Sequence, residues 1–115
     1  TYNHLNLHAT QSISTLTIDA AEYSSANIMC DDNVKILSLD IIVSQTKLKF
    51  FTLDISNFNG VLSLSSQADI LFENGSPPKL KGENNTYSLV IYNSNTKVVM
   101  VVMHKNRGLD RFTNG

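Results

Sequence analysis

This sequence of 115 residues is poor in the residue types that usually reveal a task. It has one cysteine, no tryptophan, two prolines and five glycines. A single cysteine excludes an internal disulfide framework. The glycines mostly follow asparagine, which is turn chemistry, and none builds a phosphate-cradling loop. Charged residues are only 17% of the chain, below the usual quarter or so. The net charge is −1 and the pI about 6.2, which excludes a generally basic nucleic-acid binder and a polybasic membrane binder. The longest apolar run, Val98 to Met103, has six residues. A transmembrane helix needs about 20. The chain opens at Thr1 without a Met or a signal peptide, which predicts a processed or trimmed piece.

What is present is uncharged polarity. Asn, Ser and Thr supply 13, 13 and 9 residues, 35 of 115. With 42% hydrophobic residues the chain can bury one core, and its size fits one domain over residues 1–115. That composition suits strands, turns and secreted surfaces. The charge is segregated: residues 1–46 sum to −4, 47–78 to −1 and 79–115 to +4. Opposite ends of this kind steer association between copies or partners.

Leu5, Ala9, Ile13, Leu16, Ala20 and Tyr23 recur at helical spacing, so a helix is expected over residues 1–28. The β-branched and hydroxyl residues Thr10, Ser12, Ser14, Thr15 and Thr17 argue for strand instead. Cys30-Asp31-Asp32-Asn33 ends the pattern with turn residues. A sheet is expected over residues 34–104. Its strands are Val34–Leu39 and Ile41–Ser44, as two short strands or one long bent one, then Lys47–Ile55, Val61–Ser65, Asp69–Glu73, Thr86–Tyr92 and Lys97–His104. Asn59-Gly60 reads as a two-residue turn, and Asn93–Thr96 as the loop of a hairpin. Val98–Met103 is apolar on both faces and should lie centrally. Residues 105–115 form a polar tail, and no internal repeat is evident. The expected class is α+β: an amphipathic N-terminal helix on a mostly antiparallel sheet of about six strands.

Few residues suggest chemistry. His4 and His8 would share a helix face, as a zinc pair does, but no third ligand is near. Asp31-Asp32-Asn33 lacks the alternating acidic pattern and the glycine of a calcium loop. No motif joins Cys30 and His104 into a nucleophile set. No enzyme activity, metal or cofactor is therefore expected. Lys105, Arg107 and Arg111 could touch phosphate, yet no aromatic is interleaved among them, which argues against nucleic acid.

The second half carries Ile70-Leu71-Phe72-Glu73-Asn74-Gly75-Ser76-Pro77, a strand Tyr87–Tyr92, a short turn, a strand Val98–Met103, and Arg107-Gly108-Leu109. With an N-terminal amphipathic helix before it, this order resembles the minor pseudopilins of type II secretion systems, H class, and the related FimT-like minor pilins. The resemblance implies a structural subunit of a pseudopilus or type IV pilus-like filament. Such a subunit is cleaved and methylated by a prepilin peptidase, and it is held in the bacterial inner membrane by an N-terminal segment absent from this chain. Its globular domain would lie in the periplasm or extracytoplasmic space. The implied partners are other pilin or pseudopilin subunits, with no small-molecule substrate. The implied docking residues are the stripe Leu5, Ala9, Ile13, Leu16, Ala20 and Tyr23, with Lys105, Arg107, Arg111, Asp31 and Asp32 as a charged surface. The tail departs from the basic tail of the FimT-like group, because Asp110 stands beside Arg111. The alternative is a secreted or surface-exposed β-rich adhesin or carbohydrate-binding domain.

Overall fold

The computed structural model describes residues 3–44, 47–73, 75, 84–95 and 97–106. Nine strands are present among them and no helix: β1 (His4–Ala9), β2 (Thr15–Asp19), β3 (Ser25–Cys30), β4 (Ile36–Ile42), β5 (Leu48–Ser56), β6 (Val61–Ser66), β7 (Asp69–Phe72), β8 (Asn85–Ser94) and β9 (Lys97–Asn106). The expected α+β class is thus overturned, and the fold is mostly β.

The helix expected over residues 1–28 is replaced by β1, β2 and most of β3. Its helical spacing is produced by period-2 segments separated by corners. Leu5, Leu7 and Ala9 point inward from β1, and Leu16 and Ile18 from β2, with Ala20 continuing that row. Between them, Thr10 and Ile13 close a turn by exchanging backbone hydrogen bonds at 2.9 and 3.2 Å. The Asp19 carboxylate then accepts from the Ala21 and Glu22 amides and turns the chain again. The hydroxyl and β-branched residues that disfavour a helix are those that line the strands and corners.

Two sheets result. One has the order β1-β3-β5-β8-β9-β7, and the other β2-β4-β6. The pairings β1–β3, β3–β5, β2–β4 and β4–β6 are all parallel, against the expected antiparallel sheet. The chain alternates between the sheets and returns beside its own previous strand. This is a short β-solenoid of three coils, with register partners 21 residues apart (His4 with Ser25), 23 (Thr15 with Ser38), 25 (Ile36 with Val61) and 27 (Ser25 with Thr52). The unequal coil lengths explain why no sequence repeat is visible. Asn59-Gly60 is a corner between the sheets and not a hairpin turn. Of the two arrangements open for residues 34–44, the chain adopts the single strand, β4, over Ile36–Ile42.

The C-terminal half follows expectation more closely. β8 and β9 form an antiparallel hairpin, with Asn95 in the left-handed region at φ 59°. β8 pairs antiparallel with β5, and β9 lies between β8 and β7, so the all-apolar strand is internal. The inner faces of both sheets share one core, including Ile28 and Leu53 from one and Leu37, Leu39 and Ile41 from the other. Tyr87, Leu89, Ile91, Met100 and Val102 extend it under the β8–β9 end.

Candidate docking surfaces

The expected stripe does not exist as a surface. Ala9 and Ala20 are buried, Leu5, Leu16 and Tyr23 are half-buried, and Ile13 is exposed at the β1–β2 turn. They sit on different strands and corners because the underlying period is two. His4 and His8 both face outward from β1 but are held separately. His4 bonds Ser25 Oγ at 2.6 Å and Asn6 Oδ1 at 3.2 Å, and His8 pairs with the Asp31 carboxylate at 2.6 Å. Asp32 accepts instead from Asn57 Nδ2 at 3.0 Å. Lys105 is on β9, three strands across the sheet from the β3 end that carries Asp31. Arg107 and Arg111 lie outside the described residues. The expected charged docking surface is therefore not one patch among the residues described.

Acid, base and nucleophile are likewise apart. Cys30 faces the core, and burial, with the Asp31 charge beside it, pushes its thiol up to about 11. A thiol so rarely ionised should not react with a disulfide reagent in the folded protein, and should react promptly on unfolding in urea. Full labelling of the native protein within seconds would contradict that burial. His104 is on β9, with β5 and β8 between it and the strand of Cys30. Its ring stacks on Tyr87 at 4.9 Å and donates Nε2–H to Asn85 Oδ1 at 2.6 Å. Burial lowers the His104 pKa below its ordinary 6.5. Burial also raises the Tyr87 hydroxyl, which has no hydrogen-bond partner among the described residues.

The His104 environment sets a pH dependence. The unfolded chain binds this proton more readily than the folded one, so the stabilisation is complete above pH 6.5 and is lost as pH falls below it. Thermal midpoints should therefore drop from pH 7.5 to 5.5, and His104→Gln should drop less over the same range. Parallel pH profiles for the two proteins would show that this imidazole is not the sensor.

Among the described residues no group of three His, Cys, Asp or Glu could hold a metal, and no helix is long and apolar enough to cross a membrane. One cleft of about 200 Å³ lies at the β3–β4 and β5–β6 corners, lined by Asp32, Val34, Lys35, Asn57, Asn59 and Gly60. It is shallow and polar, with Asn57 at φ 61° tying the two corners together through Cys30 O and Asp32.

The features that remain are strand edges and apolar rows. β1 and β2 are each the terminal strand of their sheet, at the first coil of the solenoid. In a parallel strand, successive residues turn their N–H and C=O to opposite sides. Ala9 O accepts from Asp31 N at 2.9 Å, and Asn3 O from Ser24 N at 2.8 Å, so odd-numbered residues of β1 face β3. The main-chain groups of His4, Asn6 and His8 therefore face away from the sheet. In β2 the parity is reversed, because Ser14 O accepts from Ser38 N and Ala20 N donates to Ile42 O. Thr15, Thr17 and the Asp19 amide there face away, while the Asp19 carbonyl accepts from the Glu22 and Tyr23 amides of the following turn. Between these two edges Leu5, Leu7 and Leu16 are only half-buried, whereas their register partners in the next coil, Ala26, Ile28 and Leu39, are buried. The first coil is an open end, while β8, β9 and β7 extend one sheet past the third coil.

Separate apolar rows lie on the outer faces. Phe50, Val90, Val101 and Leu71 are consecutive register partners across β5, β8, β9 and β7, with Phe50 68% and Leu71 51% exposed. On the other sheet Ile36 and Val61 are partners, 57% and 65% exposed. Sequence reasoning missed the open edges. Their signal was the alternation Leu5/Leu7/Ala9 and Leu16/Ile18/Ala20. Compared with known proteins, this chain matches no family model, no curated protein and no solved structure.

Proposed function

We propose that this chain is a structural module without a catalytic task, which docks by strand addition at its open coil. The observation that carries the reading is the pair of edges, β1 and β2, that no strand covers among the described residues, at the same end and flanking half-buried leucines. Unpaired strand edges recruit further strands unless they are blunted by proline, lysine or a bulge. β1 and β2 contain neither proline nor lysine. The separation of Cys30 from His104 and the high pKa of the thiol favour a structural role over nucleophilic catalysis.

The docking element differs from that of the filament reading. A pilin-like subunit would dock through an N-terminal helix, and residues 4–30 here are strands and corners. The idea of assembly is kept, and its seat moves to the strand edges. A surface-exposed β-rich domain is a second reading, favoured by the uncharged Asn, Ser and Thr exterior and the exposed Phe50 row. The test is hydrogen exchange on protein isolated from its natural source. The amides of His4, Asn6, His8, Thr15, Thr17 and Asp19 should be protected there. If they exchange as fast as exposed corner amides, the docking reading falls.

A further inference from the structure

We infer that the Asn59–Gly60 corner is a site of spontaneous covalent modification, at which the asparagine loses its amide through a cyclic imide and an isoaspartyl linkage enters the third coil. This goes beyond the docking reading and does not depend on it. Asparagine is a thermolabile residue, most of all before glycine, where no side chain shields the following amide nitrogen. The sequence has three such pairs, Asn59–Gly60, Asn74–Gly75 and Asn114–Gly115. The structure sets the first apart. The Gly75 amide donates to Phe72 O at 2.9 Å, so that nitrogen is already engaged in a turn. Among the described residues neither the Gly60 amide nor the Asn59 side chain has a hydrogen-bond partner. The pair lies between β5 and β6, outside any strand. Asn59 is exposed, and both residues border the polar cleft at the two corners, where water reaches them. Asn57, in the same corner, is the contrast. Its Nδ2 is held by Cys30 O and Asp32, and the next residue is the buried Phe58.

The reaction needs only water. The Gly60 nitrogen gives up its proton to solvent base and attacks Asn59 Cγ. A Cγ–N bond forms, the Cγ–Nδ2 bond breaks, and the amide group takes up a proton and leaves as ammonia. Nothing is oxidised or reduced. Water then opens the imide at either carbonyl. Attack at Cγ restores the ordinary linkage and leaves aspartate. Attack at the Asn59 main-chain carbonyl leaves Gly60 joined through Cγ, with an added carbon in the main chain. Both products place a new carboxylate at the cleft that Asp32 and Lys35 also line. They differ in what they do to the fold. Gly60 lies so close to the Lys35 carbonyl that a Cβ would collide with it, and Val61 N donates to that same oxygen at 2.9 Å. These contacts seat β6 beside β4. Aspartate keeps the length of the corner and leaves the seat in place. Isoaspartate lengthens the chain just before Gly60 and loosens it.

Ageing the purified 115-residue chain at pH 7.5, in buffer and in parallel in urea, tests this. Peptide mapping by mass spectrometry, with fragmentation to place the change, reads each asparagine separately. The expected result is loss of the Asn59 amide in the folded chain at a rate within a few-fold of that in urea, while Asn57 stays intact. Isoaspartyl methyltransferase labelling should find the isoaspartyl form at position 59. An Asn59 that keeps its amide in the folded chain after the urea sample has converted would overturn the inference, because the fold would then be holding the pair away from ring closure. Asn59→Gln lengthens the side chain, disfavours the ring, and should hold its amide over the same period. Loss of amide from that glutamine at the original rate would show that cyclisation onto Gly60 is not the route. The structural half is read by urea unfolding. Asn59→Asp should match the unmodified chain, and the isoaspartyl fraction separated by ion exchange should unfold at lower urea. Equal midpoints for all three would overturn the loosening of β6.

Discussion

Gly60→Ala should destabilise the fold by about 3 kcal/mol, because a Cβ at this corner has nowhere to go. It would lie 2.1 Å from the Lys35 carbonyl oxygen and 2.7 Å from its carbon. Both are main-chain atoms, so no rotamer change relieves the overlap. The approach is close because the next amide, Val61 N, donates to the same Lys35 oxygen at 2.9 Å, which fixes the start of β6 against β4. Alanine must push the β5–β6 corner away and weaken that bond. Urea unfolding monitored by circular dichroism would measure the change, with Asn59→Ala as the neighbouring control. A loss below about 0.5 kcal/mol, the range of ordinary surface changes, would mean that the two corners are not packed as described.

Leu37→Ala and Leu16→Ala should differ although both leucines point into the same core. Leu37 is fully buried near the start of β4 in the middle coil, and its truncation should cost about 3 kcal/mol in lost transfer energy and residual cavity. Leu16 is half-buried at the open end, with no strand stacked beyond it among the described residues. Its truncation should cost about 1 kcal/mol when the protein is dilute, since the site is already partly hydrated. Equal costs at low concentration would indicate that the first coil is covered by something within the chain itself.

Both contrasts follow from the winding, and only part of that winding was legible beforehand. The hairpin β8–β9 was readable because its signals are local. Two strongly alternating segments flank a short loop whose asparagine tolerates positive φ, and such a loop fixes antiparallel pairing with no reference to the rest of the chain. β5 was readable for the same reason, since Phe51, Leu53 and Ile55 alternate without interruption. β1 and β2 were misread because each is too short to display its period. Leu5, Ala9, Leu16 and Ala20 are inward positions of two strands, and the corner between them shifts the phase so that the sum imitates 3.6. Propensity argued correctly there, through Thr10, Thr15 and Thr17, and should have outweighed a spacing that spans turn-forming residues.

The sites were less legible still. The expected stripe failed with the helix, and His4 and His8 lost their shared helix face for the same reason. The edge residues His4, Asn6, His8, Thr15, Thr17 and Asp19 carry no side-chain signature as a group. Their common property is main-chain direction, which depends on which neighbour each strand pairs with. A polar outward residue on an internal strand and one on an edge look the same in one dimension.

The amino-acid sequence by itself determined that this protein is β-rich in its second half, where its corners fall at asparagine and glycine, which residues alternate into the core, and that it has one unpaired thiol. These are properties of neighbours in the chain, governed by local sterics and by the two-residue period of a strand. The tertiary structure alone decided that strands 21 to 27 residues apart lie parallel, that two sheets share one core, and that one end is extended by β8, β9 and β7 while the other stays open. Parallel pairing joins residues far apart in sequence, and no local signal records it. Strand order is settled by which arrangement buries the inward side chains and pairs the main chain across the whole molecule at once.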